Sequence, residues 1–298
     1  MKKIYLKYIT SLLLFGSNGI VASSIFLSST EIVLIRTLIG SLTLLLFFVL
    51  SKRSTQLLRK RESFAFLFLS GAAMGGSWIF LYKAYTLIGV GLATLIYYCG
   101  PVLVMVLSPF LFHEKMTWGK VCGFFAVLTG IYLVNGPGDS LHSSFWGIFC
   151  GIMAAFLYTI MIILNKKASG FEGLENPFCQ LSAAFLTTAL FLGISQGISI
   201  SIDSKSLLPI LILGIVNTGI GCCLYFSSIR ELPVQTVAVC GYLEPLSALV
   251  FSVLFLGETL NFIQLAGVFL VVGGALFAEI SGKAHKEHID ADSFNQEF

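Results

Sequence analysis

The feature that most constrains this chain is a long internal repeat. Residues 89–134, GVGLATLIYYCGPVLVMVLSPFLFHEKMTWGKVCGFFAVLTGIYLV, align without a gap on residues 233–278, PVQTVAVCGYLEPLSALVFSVLFLGETLNFIQLAGVFLVVGGALFA, after a shift of 144 positions. Apolar runs resemble one another by composition alone, so the weight rests on the rarer residues that coincide. Pro101 meets Pro245 in a chain with only seven prolines. Glu114 meets Glu258, Tyr98 meets Tyr242, Gly123 meets Gly267 and Gly130 meets Gly274. Each copy is an apolar run with a proline near its middle, a glutamate at its end, then a second apolar run. A repeat on this scale dictates the architecture before any local pattern does.

Composition supplies the solvent. The 298 residues are 56% hydrophobic and 11% charged, against about 25% charged in an ordinary soluble domain, with a mean hydropathy of +0.91. That leaves too little polar surface to wrap a water-soluble globule, and apolar runs near 20 residues match the hydrocarbon thickness of a bilayer. Ten such runs are predicted, at 8–27, 31–50, 64–86, 89–112, 117–135, 145–164, 177–197, 207–228, 234–257 and 261–280. The fold expected is an all-α integral membrane protein of ten transmembrane helices, arranged as two five-helix repeats, 1–137 and 138–280, with a polar cytoplasmic tail at 281–298. Lys2, Lys3 and Lys7 ahead of a run ending near Ala22 imitate a signal peptide. Removing that run would leave unequal halves, so it is read as a retained first helix.

Positive charge orients the spans. With the N-terminus in the cytoplasm, inside segments hold 15 of the 18 basic residues, among them Arg53, Arg59, Lys115, Lys166 and Arg230, and outside loops hold only Lys205. Such a bias predicts cytoplasmic termini in a multi-pass plasma-membrane protein. Five helices per half is an odd number, so the second half enters from the opposite side and the repeats are inverted. That symmetry marks secondary transporters far more than enzymes or structural proteins.

Candidate functional residues follow from depth and spacing. Pro101 and Pro245 fall near the middle of helices 4 and 9, where they should free the carbonyls of Tyr97 and Gly241 and act as paired hinges. Thr94, Tyr97, Tyr98 and Pro101 share one helix face, and Tyr242 sits at the place matching Tyr98. Both tyrosines lie too deep for the interfacial belt, which leaves cavity lining or helix packing. Trp78 on helix 3 is a further lining candidate, whereas Tyr82 and Tyr85 suit the aromatic belt. Asn18 and Asn217 are mid-membrane amides, suited to substrate contact or to bonding between helices.

Glu244 is the only acidic residue deep in any predicted span. A buried carboxylate is costly unless a cation compensates, so Glu244 could carry a coupling proton, meet a cationic group of the substrate, or simply bond Asn217 or a tyrosine hydroxyl. Arg36 and Lys83 lie within a few residues of outer helix ends, and their stems are long enough to snorkel to the surface. Arg36 could also pair with a substrate anion or with Glu31. Gly123/Gly130 and Gly267/Gly274 recur at i+7 and give helices 5 and 10 smooth faces for close packing. All seven cysteines fall inside apolar runs with no CxxC, which reads as free thiols with no disulfide framework and no metal site. His285 and His288 belong to a solvated tail. Neither an ATP-binding nor an HExxH or GxSxG motif is present. No cofactor and no nucleic-acid partner is expected, and the chain is read as a transporter rather than an enzyme, working as a monomer or homodimer.

This pattern resembles the EamA-type branch of the drug/metabolite transporter superfamily. The resemblance rests on the two five-helix repeats with a proline in each fourth helix. It extends to Glu114-Lys115-Met116-Thr117 and Glu258-Thr259-Leu260-Asn261 leading into glycine-spaced fifth helices, to Phe15-Gly16-Ser17-Asn18, and to Arg36 early in helix 2. It covers residues 4 to 280 and implies a central cavity between the halves and no ATP site. Such members move amino acids, other metabolites or drugs. The expected function is secondary or facilitative transport of a small organic solute by alternating access, with export of an amino acid or related metabolite, driven by its own gradient or by protons. Multidrug export is the alternative, and a membrane-embedded enzyme a more distant one. Glu244 stands outside the family pattern.

Overall fold

The computed structural model describes residues 2–50, 61–88, 93, 96–112, 116–135, 145–168, 174–195, 202–256, 262–274, 276–277 and 280–281. The elements are α1 (Lys2–Gly16), α2 (Asn18–Ser23), α3 (Ser29–Leu50), α4 (Arg61–Ile88), α5 (Cys99–Phe112), α6 (Trp118–Asn135), α7 (Phe145–Lys167) and α8 (Glu175–Ser195). There follow α9 (Leu207–Leu211), a π-helical stretch (Ile212–Ile220), α10 (Gly221–Ile229), α11 (Val234–Gly241), α12 (Leu243–Leu256) and α13 (Phe262–Gly274). All regular structure among the described residues is therefore helical. In lipid a helix satisfies its own backbone, which an open sheet cannot do.

Seven helical runs among the described residues are long and apolar enough to cross a membrane: Lys2–Ser23, Ser29–Leu50, Ser63–Ile88, Phe145–Lys167, Glu175–Ser195, Ser204–Ile229 and Val234–Phe255. The apolar helices Cys99–Phe112 and Phe262–Gly274 are shorter. They fall in the predicted fourth and tenth segments, parts of which lie outside the described residues, as do Glu114 and Glu258. The surface is greasy, with Phe110, Leu190, Ile194, Phe262 and Phe269 exposed. Ser70, Asn165, Gln180 and Asn217 are buried. Large apolar side chains outside and bonded polar ones inside is the pattern of a helix bundle solvated by lipid.

The repeat reappears as a repeat of contacts. α7 packs on α4 and α5, and α1 packs on α10 and α12, which is the same set shifted by 144 residues. α8 packs on α4 just as α3 packs on the π-helical stretch. The glycines show the relation at atomic scale. A Cβ on Gly130 would lie 2.6 Å from the Gly267 carbonyl oxygen, and one on Gly274 would lie 2.6 Å from that of Gly123. Residue numbers rise along α6 as they fall along α13, so the two helices cross antiparallel and exchange equivalent contacts, as a two-fold relation requires. Backbone touches backbone there, and no side chain has room. Gly130→Val and Gly274→Val should therefore lower the thermal unfolding midpoint of the purified protein by similar amounts. A large disparity between the two would refute the symmetric crossing.

The prolines do more than kink their helices. A turn at Tyr98 precedes α5 and a turn at Tyr242 precedes α12, so each proline is the third residue of a restarted helix. In a first turn the missing N–H leaves no ladder bond unmade. The carbonyl that finds a partner is that of Tyr98 rather than Tyr97, because the Tyr242 hydroxyl donates to it at 2.8 Å. The first span is also interrupted, at Ser17 between α1 and α2, where the sequence pattern predicts one continuous run. A Gly-Ser pair, here Gly16-Ser17, is a recognised site for such a break.

Candidate functional site

Three interruptions, at Ser17, in the π-helical stretch and before α12, meet in one region. Asn217 Nδ2 donates to the carbonyl of Leu14 (3.0 Å), to Ser17 Oγ (2.8 Å) and to Asn18 Oδ1 (3.0 Å). One amide thus bridges the break in the first span. The π-helical winding sends the next residue elsewhere: Thr218 Oγ1 donates to the Leu213 carbonyl at 2.7 Å and accepts from Arg36 Nε at 3.0 Å. Local π-helix commonly marks functional positions, because the extra residue per turn re-aims side chains.

Arg36 departs from its expected place. It is 4% exposed, with its guanidinium carbon 4.6 Å from the Trp78 ring centroid. It is a buried cation rather than a snorkelling one, because the Thr218 hydroxyl and the Trp78 face supply partners inside the protein. The suggested pairing with Glu31 is not made either: Glu31 Oε2 accepts from the Ser28 backbone N–H (2.8 Å) and from Ser28 Oγ (2.6 Å), closing a capping box at the start of α3. Lys83 remains exposed.

Aromatic rings form the next layer. Tyr97 contacts Tyr98 (5.7 Å between centroids) and Tyr158 (5.5 Å), while Tyr225 contacts Tyr8 and Phe15 (both 5.6 Å). The Tyr158 and Tyr225 hydroxyls are 3.4 Å apart. Tyr98 and Tyr242 pack against each other at 5.8 Å and both are buried, Tyr242 completely. They form the contact between the two restarted helices rather than open wall. Phe15, Trp78, Tyr97 and Tyr158 are only half-buried, although they pack against the main core cluster. Asn18 and Glu244 are half-buried as well. All six are therefore packed residues that keep some accessible surface.

Glu244 is the second residue of α12, where a carboxylate suits the positive end of a helix. Its side chain lies within electrostatic reach of Tyr8, Tyr97, Tyr98, Tyr158 and Arg36. Among the described residues none hydrogen-bonds its carboxyl group. Of the alternatives offered by the sequence, a bond from Asn217 or a tyrosine hydroxyl is the one not made. Asn217 is committed to the first span, the Tyr8 hydroxyl to the Val237 carbonyl (2.8 Å) and that of Tyr242 to Tyr98. Among the described residues no group of His, Cys, Asp or Glu could hold a metal ion.

Contacts between the repeats gather at the end of this region where α11 begins: Tyr8 bonds Val237, and Lys120 Nζ donates to Gln235 Oε1. Beside them, within the second repeat, Lys166 donates to the carbonyls of Arg230 (3.2 Å) and Leu232. Sequence reasoning missed Tyr8, Tyr158, Tyr225 and Thr218, and marked Phe15 only as part of the Phe15-Gly16-Ser17-Asn18 stretch. The tyrosines carried a usable signal, since each is a polar aromatic well inside an apolar run. Thr218 carried none, since nothing local announces the π-helical turn.

The EamA-like transporter family matches residues 2–136 and, a second time, residues 145–279. This chain belongs to that family. The transporter YxxF of Bacillus subtilis is 27% identical over 294 residues, covering 94% of this chain and 91% of its own length. The threonine/homoserine exporter RhtA of Salmonella typhimurium is 22% identical, covering 87% and 85%. A probable amino-acid metabolite efflux pump of the same species is 26% identical over 205 residues, covering 64% and 68%. A solved crystal structure superposes with a TM-score of 0.81 at 18% identity, covering 94% of this chain and 98% of that one, which shows the shared fold. The protein is thus a multi-pass membrane transporter built from two EamA repeats, and the family indicates transport rather than enzymatic turnover.

Proposed function

We propose that this EamA protein is a secondary exporter of a small organic solute, an amino acid or related metabolite, working by alternating access. Ten helices in two inverted five-helix repeats enclose the space bordered by Trp78, Tyr97, Asn18 and Glu244, with Pro101 and Pro245 at the turns where halves of helices pivot. Tyr98 and Tyr242 join the wall when that contact opens. The supporting observation is that a buried cation, a carboxyl group without a bonded partner and half-buried aromatics sit on packed elements of both repeats, and transporter sites form where repeats meet. Relatives named as amino-acid exporters support the cargo class. Both termini are cytoplasmic, in the plasma membrane, so the contacts around Lys120 and Tyr8 close the cytoplasmic side. The solute moves down its own gradient or in exchange for protons.

Purified protein in liposomes, loaded with one labelled amino acid and challenged with others and with cationic dyes, should show counterflow of an amino acid. Exchange of dyes alone would identify a drug exporter. Chemical turnover independent of sealed vesicles would identify an enzyme. Cysteine labelling at positions 114 and 258 should place them on opposite faces of the membrane. The same face for both would end the inverted arrangement.

A further inference from the structure

We propose that Arg36 and Glu244 are the two poles of one binding site that grips the carboxylate and the ammonium of a zwitterionic α-amino acid. This deepens the transport reading above and rests on it for its biological meaning. The Arg36 guanidinium is fixed by its Nε bond to Thr218 and by one face against Trp78. Among the described residues its remaining N–H donors have no partner. Two of those four, one on each Nη, form the parallel fork that matches a carboxylate in geometry as well as in charge. Glu244 is its complement, a half-buried carboxyl group that among the described residues has no bonded partner. Its backbone carbonyl abuts Gly16, next to the Ser17–Asn18 turn that Asn217, the neighbour of Thr218, holds, and Tyr8, Tyr97 and Tyr158 lie within its electrostatic reach. Carboxylate and aromatic faces together receive an ammonium group.

The two groups are close enough to act on each other electrostatically, yet they form no ion pair. Arg36 belongs to the first repeat and Glu244 to the second. Two opposite charges held apart inside a protein stay costly until something bridges them. A ligand carrying both charges satisfies both poles. A ligand with one charge leaves the other pole unpaired, and a buried unpaired charge is the strongest form of rejection a site can apply.

The test uses the purified full-length protein and reads its thermal unfolding midpoint against each of the common L-amino acids. The best stabiliser is then compared with its decarboxylated amine and its deaminated acid. The amino acid should stabilise at concentrations about tenfold or more below those the two analogues need. In Arg36→Gln the amine should approach the amino acid in potency, and in Glu244→Gln the acid should. Stabilisation by no amino acid, or equal potency of parent and analogues in the wild type, overturns the assignment without any variant. Variants that keep the wild-type order also overturn it. Selective binding without counterflow would leave this site standing and remove the transport reading. Counterflow of an amino acid that stabilises the protein no better than its amine and acid analogues would do the reverse.

Discussion

Replacing Gly16 by valine should force α1 away from α12 and abolish transport, whereas the same change at Gly19 should be tolerated. A Cβ on Gly16 would lie 1.9 Å from Ser247 Oγ, 2.8 Å from the Glu244 carbonyl oxygen and 2.9 Å from the Ala248 nitrogen. Ser247 can rotate out of the way, but the two backbone atoms move only if the helix moves. They belong to the first turns of α12, so the displacement is delivered directly to Glu244. A Cβ on Gly19 would meet nothing within 4 Å. Overpacking of this kind costs about 1–3 kcal/mol, and here the strain falls on the contact that aligns the two repeats. The measurements are the unfolding midpoint in detergent and counterflow in liposomes. A Gly16→Val protein that unfolds and transports like the wild type would show that α1 and α12 do not meet at this point.

The second large effect is expected at Asn217. Asn217→Leu keeps the volume but leaves the Leu14 carbonyl, Ser17 Oγ and Asn18 Oδ1 without this donor. Stranding buried acceptors costs about 1–3 kcal/mol, and the groups stranded flank the turn that divides the first span. The variant should lose stability and should lose transport more completely than its stability alone explains. A double-mutant cycle isolates the bridge. Asn18→Ala and Asn217→Ala should be strongly non-additive, because either change removes the same bond. Strict additivity of the two would mean that the amides do not act as a pair.

Much of the architecture could be read from the chain because its constraint is global. The shift of 144 residues recurs in which helices pack together, and Gly123, Gly130, Gly267 and Gly274 do meet at the crossing of α6 and α13. Pro101 and Pro245 marked the right places, since proline acts on its own turn of helix. The fine structure around the site was harder to see. Arg36 looked like a surface residue because depth along a helix says nothing about the partner across it, and Thr218 and Trp78 are remote in sequence. The π-helical winding at Ile212–Ile220 depends on tertiary contacts such as the Asn217 bridge, which no local pattern records. Tyr98 and Tyr242 could be paired from the repeat, but only the packing shows that they face each other.

The crossing of α6 and α13 touches at two places seven residues apart, a separation of about 10 Å at the rise of an α-helix. Contact along a line rather than at a point behaves as a seam. To slide it by a single residue would drive a side chain into a carbonyl oxygen, so translation along the seam is blocked while rotation about it is not. Whatever swings open elsewhere in the protein, this pair can stay still and serve as the axle.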